Sequence, residues 1–174
     1  IDALLDIVVA DDLLTGLEPR FIGTDDESWV ERVRLLENDP RVIAGGSDAG
    51  AHLDMMKTFA CHTGFLAEAV RNRQLISLER AVQLFTDAPA RFYGVRDRGR
   101  VAEGWFADLV ILDPDKVGPG EVVPRQDLPA NGWRLYSEAT GIEATIVNGV
   151  EIVRDGKVTG DTPGTTLRSG RDTE

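Results

Sequence analysis

The hydrophobic positions of this chain change their period partway along, and that change divides it. In the opening IDALLDIVVADD, Ala3, Leu4, Ile7 and Val8 fall at helical spacing. The run starts inside the pattern with no methionine before it, which fits a chain that begins mid-protein. From Thr24, TDDESWVERVRLLENDP predicts an amphipathic helix, with acids at its start and Trp29, Val33 and Leu36 on one face. Pro40 stops it. Val42, Ile43 and Ala44 then make a continuous apolar run, the texture of a strand buried on both faces of a parallel sheet, and it opens into a glycine-rich loop. His62 to Arg71 and Ser77 to Phe85 predict two further helices, the second with Ser77 as N-cap and Leu78, Ala81, Val82 and Phe85 on one face. A short helix from Pro89 to Tyr93 ends at Gly94, a C-terminal cap.

After Gly94 the pattern turns to β. Leu109 to Leu112 is an apolar run between turn residues, and IEATIVNGVEIVRDGKVTG holds two β-rich runs joined by Asn148 and Gly149, with a second turn at Asp155 and Gly156. Asn-Gly between apolar runs is a strong hairpin signal. The chain thus divides into an α/β part over residues 1–95 and an all-β part over 96–174. Between the strands, Val117 to Gly141 is rich in Pro and Gly and reads as a long surface excursion, and the polar tail from Thr162 reads as frayed.

Composition narrows the partners. Of the 174 residues, 42% are hydrophobic, enough for a core, and 19 basic against 30 acidic residues give a net charge of −11. That field repels phosphate backbones and anionic lipid headgroups, so neither nucleic acid nor membrane is expected as a partner. No stretch approaches the roughly 20 apolar residues of a membrane helix. The single cysteine, Cys61, excludes an internal disulfide framework and fits a reducing compartment, so the expected location is cytoplasmic.

The densest cluster of reactive residue types is GGSDAGAHLD, residues 45–54. An acid just after a buried strand, in a loop of small residues, is free to point into a pocket at the carboxyl end of a parallel sheet, where such folds place their sites. Asp48 is that acid. The plain alternative is that Ser47 or Asp48 caps a following helix and the glycines serve the turn. His52 and His62 stand ten residues apart, too far for a ligand pair on one helical turn, and make no metal site by themselves. Cys61 and His62 are adjacent, and adjacent residues do not face each other, which disfavours a nucleophile pair. Asp113 and Asp115 around Pro114 read as a strand-ending turn, and the arginines from Arg71 to Arg100, interleaved with acids, read as a solvated face.

VIAGGSDAGAHLDMM, RGRVAEGWFADLVILDPD, TIVNGVEIVRDGKVTG and the closing PGTTLR, in this order, resemble the C-terminal third of the amidohydrolase superfamily, in its N-acyl-D-amino-acid deacylase (D-aminoacylase-like) branch. The resemblance runs from about Ile1 to Arg168. It implies a metal-dependent hydrolase with a (β/α)8 barrel and a small composite β-sandwich, of which residues 1–95 would be the end of the barrel and 96–174 a segment of the sandwich. Val42 to Ala44 would be the eighth barrel strand. Asp48 would lie against a divalent metal, zinc in most such enzymes, and take a proton from the attacking water before delivering it to the leaving amine. The same resemblance turns His52 toward the substrate, a small-molecule amide.

D-aminoacylases hold the substrate carboxylate with an arginine in the loop after this aspartate. Here Lys57 is the one base between His52 and His62, and a lysine offers no bidentate fork. The family's other metal ligands, an HxH pair among them, precede this segment. About 250 residues are needed for an eight-stranded barrel and about three protein ligands for a catalytic zinc. The chain is therefore expected to be a fragment, inactive alone, and to self-associate through exposed apolar residues such as Leu4, Leu5 and Ile43. Two other readings stand beside this one. One is a different amidohydrolase activity, on cyclic amides or as a deaminase, and the other is a non-catalytic binding or oligomerisation module.

Overall fold

A computed structural model describes residues 2–12, 25–47, 49–54 and 58–174. Helices come first. α1 (Asp2–Ala10) has no buried residue, and α2 (Asp26–Asn38) packs through Val33, with Trp29 and Leu36 beside it, the face its spacing predicts. Asp25 caps α2 by accepting the Ser28 amide at 2.8 Å. α3 (Cys61–Phe65) runs into a π-helical stretch over Leu66–Asn72, closed by the Arg73 amide on the Glu68 carbonyl at 3.0 Å. α4 (Leu78–Phe85) carries the Ser77 cap, and α5 (Asp87–Phe92) follows. In α4 the buried residues are Ala81 and Leu84, while Val82, expected inside, faces out. Leu84 lies three residues after Ala81, so the face that meets the core is rotated from the one the sequence suggests.

Val42 to Ala44, expected as a buried strand, is extended but half-buried, and it forms no ladder with any described residue. A strand exists only where a neighbour takes its N–H and C=O groups. Here the Val42 amide is held instead by the Asp39 carbonyl at 3.0 Å, a turn bond.

The β part begins with β1 (Leu109–Leu112). β2 (Gly118–Pro119), β3 (Val123–Arg125), β4 (Arg134–Tyr136) and β5 (Ala139–Thr140) follow, then β6 (Ile142–Val147), β7 (Val150–Arg154) and β8 (Lys157–Val158). The main sheet is antiparallel in the order β1-β6-β7-β8. Its hairpins turn at the predicted dipeptides. Asn148 and Gly149 stand at φ 48° and 80°, Asp155 and Gly156 at 48° and 75°, the paired left-handed residues of a two-residue turn that matches strand twist. Asp113 accepts the Asp115 amide at 2.9 Å, the turn expected there.

Residues 117–141 are not a structureless excursion. β2 pairs with β5 and β3 with β4, one hairpin nested on another, and Val117 at its base is 1% exposed and joins Val33, Leu66, Ala69, Ile76 and Leu84 in the core. Pro and Gly mark turns here, and the pairing between them is too short to read from alternation. The tail is likewise tied down: the Arg96 amide donates to Asp172 and the Glu174 amide to Gly94, with Val95 bridging Thr173. Arg98, expected on a solvated face, is 12% exposed at its side chain, lies over the Phe106 ring and pairs with Asp108 and Asn148. Charge alternation in sequence cannot report that an arginine stem covers an aromatic ring.

Candidate functional site

The glycine-rich segment after Ala44 leaves the helical core and runs exposed through Gly45, Gly46 and Ser47. Asp48 and Lys57 lie outside the described residues. Ser47 Oγ accepts the Ala49 amide at 3.2 Å, and the residues beyond it form turns, with Gly50 at φ 102°. No helix starts at Ser47 or in residues 49–54, so Ser47 serves a local turn and caps no helix.

His52 is exposed and stands at φ 46°, in the left-handed region that non-glycine residues enter at a cost. Such conformations persist where neighbouring structure holds them. The next residue supplies the hold. Leu53 is half-buried while the other described residues of 45–54 are exposed, and its carbonyl accepts the Leu135 amide of β4 at 2.7 Å. Sequence reading gave no sign of this contact, because it joins segments far apart in the chain and uses only backbone atoms.

Cys61 and His62 depart from expectation. Sγ lies 3.2 Å from Nδ1, so these neighbours at the start of a helix do touch. The first turn leaves side chains free to lean together in a way that the helix-face argument, built for interior positions, does not cover. The His62 ring also packs edge-on against Phe85 at 4.8 Å, within the aromatic cluster of Trp29 and Phe65. His52 and His62 are not brought together with a third donor: among the described residues no group of three or more His, Cys, Asp or Glu side chains could hold a metal ion. A catalytic zinc takes about three protein ligands, so the described residues do not fit one.

Two carboxylates elsewhere, Asp87 and Asp108, are held by arginines. Asp87 is 6% exposed, bonded by Arg91 at 2.9 Å and Arg100 at 3.1 Å. Burial alone would raise its carboxyl, but bonds from Arg91 and Gln83 and the two guanidinium charges outweigh this and hold it below the ordinary range. Asp108 behaves the same way: desolvation is opposed by the Asn148 amide and Arg98, with a net lowering. Among the described residues, no helix is long and apolar enough to cross a membrane.

Three relatives give the geometry its context. N-acyl-D-glutamate deacylase of Alcaligenes xylosoxydans xylosoxydans is 36% identical over 107 residues, 61% of this chain and 19% of that protein. N-acyl-D-aspartate deacylase of the same organism is 35% identical over 169 residues, 86% of this chain and 31% of its own length. The solved N-acyl-D-glutamate deacylase of Bordetella bronchiseptica, complexed with zinc and a phosphonate inhibitor, superposes with a TM-score of 0.54 at 26% identity, covering 76% of this chain and 26% of that one. The chain spans 19–31% of the length of these relatives. The sequence model of the amidohydrolase family matches residues 1–153, and this chain belongs to that family.

Proposed function

We propose that these residues form the C-terminal part of an enzyme that hydrolyses the amide bond of N-acyl-D-amino acids, with Asp48 as its general base. The observation that carries this reading is the pair of deacylase relatives at 36% and 35% identity, the second over 86% of the chain. Exposed apolar surface supports it. Leu4, Leu5 and Ile7 on α1 and Val110 and Ile111 on β1 are 46–57% exposed, and apolar residues left open on both parts of a chain suit a larger assembly. In that assembly residues 1–95 would close a barrel and 96–174 would complete a β-sandwich.

Amide hydrolysis needs a proton taken from the attacking water and one given to the departing nitrogen, since an amide anion is a very poor leaving group. One carboxylate performs both in turn. Asp48 receives the water proton as the C–O bond forms and passes it to nitrogen as the C–N bond breaks, which leaves an acid and a free amine. His52 and Lys57 face the substrate in this reading, Lys57 as a point charge opposite its carboxylate. Asp48 would be one of the residues to hold a divalent metal, which would supply Lewis acidity; the Bordetella structure holds zinc.

The test is a substrate screen of the full-length parent with paired D and L N-acetyl amino acids. Turnover of the D series, led by acidic side chains, supports the reading. Turnover of cyclic amides or deamination with no cleavage of linear amides overturns it.

A further inference from the structure

We infer that the β3–β4 hairpin is a positioning element for residues 49–54, acting through the Leu135 amide on the Leu53 carbonyl. The inference rests on the assignment of Asp48 and His52 to the reacting site. Leu135 lies opposite Pro124 in the β3–β4 ladder. Proline has no N–H to give, and the Leu135 amide is not used by the ladder either, since it points to Leu53 at 2.7 Å. The outer edge of β4 thereby takes a short segment of the loop as if it were the start of another strand.

The hairpin is built stiffly enough to serve as an anchor. Arg134 donates to Asp127 through Nε at 2.8 Å and Nη2 at 2.7 Å, a bidentate pair across the turn. The Tyr136 ring is covered by Arg125 at 3.6 Å and approached by Arg134 at 5.1 Å. The Leu128 amide on Gly132 and the Gln126 side chain on the Asn131 carbonyl close the tip. On the loop side, His52 at φ 46° makes the bend that presents Leu53, and Leu53 is the one residue between 45 and 54, among those described, that is not exposed. Anchor, bend and bond together hold residues 49–54 against the edge of β4.

Two variants test this. Leu135→Pro removes the donor at a position where the ladder does not use it, and Leu53→Gly loosens the loop side while leaving the hairpin intact. In the 174-residue chain, backbone 15N relaxation is expected to give order parameters for residues 49–54 near those of the rigid backbone, about 0.8, falling below about 0.6 in both variants. In the full-length parent both should lower kcat about tenfold with KM changed less than about twofold. Unchanged relaxation in 49–54 for the folded Leu135→Pro chain, which lacks the donor, would overturn the inference, and so would unchanged relaxation in both variants. If the wild-type parent cleaves no N-acyl-D-amino acid, the deacylase reading fails while the relaxation measurement still decides the clamp.

Discussion

Among the described glycines, Gly141 is the one at which an added Cβ would meet the nearest atom, and substituting it gives a quantitative test of the packing at the base of the nested hairpin. Its φ is 67°, and a Cβ placed on it would sit 2.4 Å from Val117 N, 2.6 Å from Lys116 C and 2.7 Å from Val117 Cα. All three are backbone atoms at or beside Val117, the largest fully buried side chain among the described residues, so no side chain can swing away to make room. Gly141→Ala therefore adds a left-handed cost of about 1–2 kcal/mol to an overpacking cost of about 1–3 kcal/mol. The sum, about 2–5 kcal/mol, corresponds to a Tm lower by about 5–15 °C for a chain of this size. Gly149→Ala is the control: its φ is 80° and an added Cβ meets nothing within 4 Å, so only the conformational cost applies. Thermal unfolding followed by circular dichroism reads both. Equal Tm losses in the two variants would refute the claim that Gly141 is required for the close approach to Lys116 and Val117.

Other outcomes follow from the same contacts. Asp87, held below its usual range, contributes stability that is complete above the ordinary carboxylate pKa of about 4 and is lost as pH falls below it. Melting curves between pH 6 and 3 should therefore fall less steeply for Asp87→Asn, and that variant should lose about 2 kcal/mol at neutral pH; parallel curves would contradict this. Asn148 accepts from Arg98 at 2.8 Å and donates to the Pro163 carbonyl at 2.7 Å, so Asn148→Gly keeps the turn yet still loses about 1–2 kcal/mol by chemical denaturation, and Asn148→Ala loses more. Light scattering of the isolated chain should give a mass above 19.0 kDa, through the open faces of α1 and β1. A monodisperse monomer would count against those faces being sticky.

Local chemistry made much of this fold readable. The Ser77 cap, the Trp29, Val33 and Leu36 stripe and the two Gly-containing hairpin turns each depend on residues within two helical turns of one another, and each stands where the pattern puts it. Long-range geometry was not readable. The strand expected at Val42 to Ala44 has no described neighbour to pair with, the burial of Val117 depends on Gly141, and Arg98 is covered by Phe106 and Asp108. The candidate site divides the same way. Its acid, its histidine and its small residues are visible as GGSDAGAHLD, whereas the bond from Leu135 that holds the loop involves no side chain and leaves no trace in composition.

The central claim is that Asp48 moves the proton in amide hydrolysis, and single-turnover kinetics of the full-length parent carrying Asp48→Asn test it most directly. Asparagine keeps the shape and removes the base. With N-acetyl-D-glutamate as substrate, the account predicts a rate lower by about 10²–10⁴, with substrate still bound. A variant that cleaves the amide at near the wild-type rate would contradict it.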